Sequence, residues 1–311
     1  MDIGIFAWFG YQLPLAERAK MISAAGFKSV MLWWADDGRA ELDISKQPAL
    51  FRKNGLEIAN AHAPFGQISD LWLDNVNGDS MYKTLDSCLI SCKEQGIPTL
   101  VSHTSNGYTT PPPNEIGLDR VKRLVETAEK QGVNLAFENT RGLVYLDFIF
   151  ERLKSERLKF CYDSGHEYCM DRVMRLARLC MKAGIALEFN NLNKPGYVDG
   201  ILAQLGTGRE SYSNDDYPEL DLLGKYGHMI AAIHLHDNRG ASDEHLLPFE
   251  GAIPWENIMA RLKKAGYNAD LLFENTASGE DLTKYSAEEY LAETMKRAKT
   301  LITLYKDRCH N

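Results

Sequence analysis

Four side chains suited to holding a divalent cation each close a short apolar run: Glu138 in LAFEN, Asp163 in LKFCYDSGH, His234 in IAAIHLHD and Glu274 in LLFEN. Carboxylates and imidazoles are the donors that hard and borderline divalent ions take. Six of the eight histidines lie at such run ends or in the stretch that follows: His62, His103, His166, His234, His236 and His245. Asp243 precedes His245 by two residues. Glu138, Asp163, His234 and Glu274 can make one centre, His62 and His103 a second that shares Glu138, and His166, Asp243 and His245 a third. The pattern therefore provides for one to three ions. His236 falls on the same strand face as His234 by the two-residue period and could take its place. Whichever of the two is not a ligand is expected to meet substrate or support the ligands.

These residues need a scaffold that brings many strand ends to one place. Apolar, β-branched or aromatic runs at about 3–8, 29–34, 57–63, 99–103, 134–139, 158–163, 230–236 and 271–275 alternate with amphipathic stretches such as 15–25, 76–95, 116–131 and 285–305. Several runs begin two to four residues after a glycine that would end a helix, as in SAAGFKSV, KEQGIPTL and EKQGVNLAF. Strand and helix alternating eight times predict an α/β fold, a (β/α)8 barrel of parallel strands formed by 1–311 as one domain. Chemistry in such a barrel gathers at the C-terminal ends of the strands. Residues 168–218 are too long for one helical crossover. They predict a helix followed by an inserted subregion above the barrel, between strands six and seven.

Composition narrows the function classes. The chain has 311 residues, 44% hydrophobic and 25% charged, with a net charge of −8, enough for a large core but with no overall attraction to phosphate backbones or anionic membranes. No run approaches the roughly 20 apolar residues that cross a bilayer, and MDIGIFAWFG lacks a basic leader, so a cytoplasmic protein is expected. The cysteines at 88, 92, 161, 169, 180 and 309 form no C-x-x-C pair and read as reduced, mostly buried thiols.

The succession H-A-P-F at 62, S-H-T-S at 102, F-E-N at 137, D-S-G-H at 163, H-L-H-D at 234, D-E-H-L-L-P-F-E-G-A-I-P-W at 243 and L-F-E-N at 271 resembles the xylose-isomerase-like barrel superfamily. That superfamily includes sugar-phosphate isomerases and epimerases, ketose 3-epimerases, inosose dehydratases and endonuclease IV. The resemblance runs from the first strand to the last helix except across 168–218. It implies two different uses of the site.

In an epimerase-like use, one Mn2+, Mg2+, Co2+ or Zn2+ on Glu138, Asp163, His234 and Glu274 would chelate a carbonyl and an adjacent hydroxyl of a small sugar, sugar phosphate or polyol. Glu138 and Glu274 would then move the proton. His62, His103, His166, His236 and Arg239 would bind substrate, with Trp33 and Phe65 covering an apolar sugar face. The ketose epimerases follow this strand-seven histidine with G-E-x-N-R, whereas this chain has H-L-H-D-N-R-G with Asp237 and Arg239. In an endonuclease-like use, His62, His103, Glu138, Asp163, His166, His234, Asp243, His245 and Glu274 match the ligands of a trinuclear zinc phosphodiesterase acting on abasic DNA. The acidic balance and the absence of a Lys- or Arg-rich run near the strand ends argue against a nucleic-acid partner.

Further aromatic residues cluster near the expected mouth: Trp8, Phe9 and Tyr11 after strand one, Trp34 beside Trp33, and Trp72. They suit either stacking on a sugar or capping the barrel. Trp255 reads as a packing residue. Phe249 stands where a G-E-G turn would have its first glycine, which predicts a reshaped pocket wall. The insertion could serve as a lid or as a contact in a homo-oligomer.

Overall fold

A computed structural model describes residues 1–35, 43–106, 111–140, 142–192, 194, 196–208 and 217–307. The eight expected runs form parallel strands: β1 (Ile3–Phe6), β2 (Ser29–Trp33), β3 (Glu57–His62), β4 (Thr99–Ser102), β5 (Asn134–Glu138), β6 (Leu158–Asp163), β7 (Ile230–His234) and β8 (Leu271–Phe273). They pair in the order β7-β6-β5-β4-β3-β2-β1-β8. The ring is completed where Leu235 bridges Phe273, with Leu235 N–H donating to Leu272 O at 2.9 Å and Glu274 N–H to Leu235 O at 3.0 Å. That seam lies between two of the candidate ligands, His234 and Glu274.

The helices are α1 (Leu15–Ala24), α2 (Gln47–Lys53), α3 (Val76–Glu94), α4 (Glu115–Gln131), α5 (Leu143–Arg152), α6 (Ser164–Ala183), α7 (Tyr197–Gln204), α8 (Leu222–Tyr226), α9 (Trp255–Lys264), α10 (Asp281–Lys284) and α11 (Ala287–Asp307). Asparagine side chains start two of them: Asn75 accepts from Gly78 N at 3.1 Å and Asn114 from Gly117 N at 3.0 Å. Gly132 and Gly184 end α4 and α6 in the left-handed conformation, with φ of 69° and 70°, which glycine adopts without steric cost.

The main apolar core lies between strands and helices and includes Ile5, Leu32, Leu85, Phe137, Phe160 and Leu291. Val101, Ala136, Cys161 and Ala232 form a separate cluster of small residues. By the two-residue period they are the rung below His103, Glu138, Asp163 and His234, so the narrow floor of the site is built from side chains that leave room above it.

Between β6 and β7 the chain runs through α6 and then builds its own small core from Val173, Leu176, Cys180, Leu192, Val198, Ile201 and Leu202, with Ala241 packed against it. This is the inserted subregion, seated beside the segment that follows β7. Residues 209–216 of it, and Cys309, lie outside the described residues. The other five cysteines are buried thiols. No helix among the described residues is long and apolar enough to cross a membrane.

Candidate active site

Each strand end supplies one residue to a staggered layer at the mouth: Phe6, Trp33, His62, His103, Glu138, Asp163, His234 and Glu274. Above it opens a cavity of about 370 Å³ whose lining includes Phe6, Trp33, Phe65, Glu138, His166 and Glu274. Aromatic residues occupy the β1 and β2 side of the layer, and carboxylates and imidazoles occupy the rest.

Glu138 is the hub. Its Oε2 lies 3.2 Å from His62 Nε2, 3.7 Å from His103 Nε2 and 3.3 Å from His234 Nδ1, while Oε1 lies 2.8 Å from His166 Nδ1. Glu274 Oε2 is also 3.3 Å from His234 Nδ1. Asp163 is fully buried. Its Oδ1 caps α6 by accepting from His166 N at 2.6 Å, and its Oδ2 lies 3.1 Å from His236 Nε2. The cap fixes the carboxylate through backbone that the helix itself orders. A pair of amide bonds ties β5 to β6 beneath it: Asn139 Nδ2 donates to Asp163 O and Asp163 N–H to Asn139 Oδ1, both at 2.8 Å.

A second knot lies beside the first. Asp243 Oδ2 sits 3.1 Å from both His166 Nε2 and His245 Nε2, and Oδ1 lies 3.6 Å from His236 Nε2. His236 stacks on His245 at 4.0 Å with the rings 15° apart. His245 Nδ1–H donates to Glu274 O at 2.9 Å. Stacking also orients the outer imidazoles, His62 on Trp33 at 5.6 Å and His103 on Phe65 at 4.4 Å.

Burial works against charge here, yet opposite charges outweigh it. Despite burial, the His234 and His103 imidazoles hold the Glu138 carboxyl well below its usual range. Glu274 is buried too but is drawn down to about 2 by His234 and His245. Burial opposes protonation of His234, but Cys161, Glu274 and Glu138 raise it well above an ordinary histidine. Asp243 likewise overcomes burial to lift His245 to about 10. His103 goes the other way: burial pushes it down to about 3 against the pull of Glu138.

The residues fit a divalent cation. Ligand atoms of Glu138, Asp163, His234 and Glu274 all lie within 4.8 Å of one another, as do those of His62, His103 and Glu138, and those of His236, His245 and Glu274. Both ring nitrogens of His234, Nδ1 of His166 and Oδ1 of Asp243 are buried without a hydrogen-bond partner. Close N to O approaches that lack hydrogen-bond geometry are what ligands converging on one cation present.

Several expected residues lie elsewhere. His236 is fully buried and is not among the residues that line the cavity; its Nε2 lies 3.1 Å from Asp163 Oδ2, in reach of a ligand candidate rather than of the cavity. It fills the space that a Cβ on Gly165 would take, which explains the glycine in D-S-G-H. Arg239 is half-exposed and ion-paired to Glu244 at 2.6 Å, and it does not line the cavity. Trp34 and Trp72 are buried in the core, Trp8 stacks under Arg18 with the guanidinium carbon 4.7 Å from the ring centre, and Phe249 packs against Trp255 at 6.2 Å. Conversely, Phe6, Glu244, Thr276 and Ser278 line the cavity and were missed. Phe6 was legible in principle, because strand alternation places it on the inward face with Gly4.

An eight-stranded parallel barrel with this cluster at its C-terminal mouth defines an α/β barrel protein whose strand ends gather carboxylates and imidazoles. The chain belongs to the xylose isomerase-like TIM barrel family, whose model matches residues 19–301. A stretch of 93 residues is 31% identical to y4fM, an uncharacterized protein of Sinorhizobium fredii, and covers 30% of this chain and 30% of that protein. Among solved structures, a D-tagatose 3-epimerase-like protein aligns over 99% of both chains at 16% identity with a TM-score of 0.65. The IOLI protein, crystallised with a bound zinc atom, aligns over 99% of this chain and 100% of its own at 15% identity and a TM-score of 0.65. D-psicose 3-epimerase from Clostridium cellulolyticum, solved with D-tagatose, aligns over 97% of this chain and 99% of its own at 12% identity and a TM-score of 0.60. At these identities the structural likeness establishes the fold.

Proposed function

We propose that the protein is a divalent-metal-dependent isomerase or epimerase that transfers a proton next to a carbonyl on a small sugar, sugar phosphate or polyol. The observation that carries this reading is the convergence of Glu138, Asp163, His234 and Glu274 below a cavity of about 370 Å³ that Glu138 and Glu274 also line. A bound Zn2+, Mn2+, Mg2+ or Co2+ supplies positive charge for substrate oxygens that become negative as the C–H bond breaks. One of the two carboxylates removes the proton and the other returns one. His62, His103 and His166 on the wall exchange hydrogen bonds with hydroxyl groups. Trp33 and Phe65, edge to face at 5.4 Å, cover an apolar sugar face and keep water from it. The test is metal analysis of the purified protein followed by incubation with ketoses and their phosphates in D2O. Metal-dependent deuterium uptake at carbon is expected; no uptake across the panel overturns the reading.

The contacts of Asp243 with His166 and His245 favour one second reading, a trinuclear zinc phosphodiesterase acting on abasic DNA. Metal-dependent nicking of an abasic duplex, lost in His103→Ala and His245→Ala and unaccompanied by sugar turnover, would decide for it.

A further inference from the structure

Asp237 stands outside the ligand cluster and carries no proposed chemistry, yet it is fully buried and both of its oxygens are occupied. Oδ1 accepts from Asn238 N at 2.8 Å and Ile253 N at 3.1 Å, and Oδ2 from Phe249 N and Trp255 Nε1, both at 2.9 Å. These donors come from the start and the end of one segment, 238–255. Its middle carries Asp243, Glu244 and His245, all three on the cavity wall. Backbone bonds between Asp237 and Leu246, at 2.9 and 2.8 Å in the two directions, fold the segment back on itself. A Cβ on Gly251 would collide with the Asp237 carboxylate, so only glycine lets the chain approach this closely. Two non-glycine residues in the segment are held at positive φ, His245 at 51° and Phe249 at 73°, a conformation that persists where surrounding bonds over-determine it.

We propose that Asp237 is a positioning residue: by fastening both ends of the 238–253 loop it sets where Asp243, Glu244 and His245 meet the cavity. The argument rests on the sugar-directed reading of that cavity. Asp237→Asn keeps the shape but turns one acceptor into a donor facing two donors. The expected results are amide exchange at least about tenfold faster across 238–253 with the barrel strands unchanged, and a KM for the turned-over ketose raised about tenfold or more with kcat changed less. In an Asp243→Asn background the effect of Asp237→Asn on KM should be smaller than in the native protein, because part of it acts through Asp243. Trp255→Phe, which removes one donor and keeps the ring, should move exchange in the same direction by less. Unchanged loop exchange, or effects of Asp237→Asn and Asp243→Asn that multiply independently, would overturn the proposal. If the native protein turns over no ketose, the sugar reading fails, and loop exchange with the NMR signal of the His245 imidazole still decides the role of Asp237.

Discussion

Two glutamates near β6 are equally buried, each 1% exposed, and they are opposites. Glu167 has every need met: Tyr162 and Tyr217 hydroxyls donate to Oε2 at 2.7 and 2.8 Å, Arg261 donates to both oxygens at 2.9 and 2.7 Å, and Leu222 N–H reaches Oε1 at 3.3 Å. Glu138 is ringed by imidazoles, several of whose nitrogens have no hydrogen-bond partner. Arg261 is a permanent, planar, bidentate cation, whereas an imidazole can surrender its proton to make way for a metal. Burial of a carboxylate therefore does not mark a functional site. What marks it is binding capacity left unused by the protein's own donors.

The comparison can be broken by experiment. The largest effect is expected at Glu167: Glu167→Ala leaves the Tyr162 and Tyr217 hydroxyls without their acceptor and the Arg261 guanidinium with only Asp221, 2.9 Å away, as carboxylate partner, and should cost on the order of 3 kcal/mol of stability, measured by denaturant midpoint, while metal content per folded molecule is unchanged. Loss of metal together with stability would erase the distinction. Next, Glu138→Gln and Glu274→Gln should lower turnover of a verified substrate roughly 10²-fold or more with the barrel still folded; normal turnover in both variants would remove the proposed chemistry. Third, a divalent ion at about 100 times its Kd should stabilise the native protein by about 2.7 kcal/mol, reversibly with chelator. Glu138→Gln should lose most of that increment and any folded Glu167 variant should keep it.

The most gradual effect is the pH dependence of the metal-free form. His245, buried but raised to about 10 by Asp243, binds its proton more tightly folded than unfolded. The stabilisation is complete below the unfolded value of about 6.5 and is lost as pH rises through about 10, with a slope of up to about 1.4 kcal/mol per pH unit. Chemical denaturation of metal-free protein between pH 7 and 9 checks this; a flat or rising profile would contradict it.

The barrel was legible because each strand is an apolar run and many of the helices before them end at a glycine. The ligand candidates were legible because a polar residue closing such a run must lie at the mouth. Spacing could not rank His234 against His236, since both face the same way. They differ in their neighbours: His234 Nδ1 lies 3.3 Å from both Glu138 and Glu274, while His236 packs on Gly165 with Nε2 3.1 Å from Asp163, a consequence of close packing between α6 and the segment after β7. The pairing of Arg239 with Glu244 was not legible, because it depends on how the loop after β7 folds back rather than on a helical or strand spacing. Glu167 was not legible at all, because a helix turns it outward one residue after His166 turns inward.

Closure of the ring has a consequence for how the chain is made. Ile3 pairs with Leu271, so the first strand cannot find its second neighbour until nearly all of the barrel has left the ribosome. At 5–20 residues per second that is roughly 15–50 s. Throughout it the β1 edge exposes unmatched backbone groups next to Ile3 and Ile5, the kind of edge that recruits other chains. The core of the inserted subregion comes from residues 173–202, and Ala241 joins it only after β7 has been made. The nascent chain is therefore most vulnerable to aggregation just before the strand that Glu274 follows arrives.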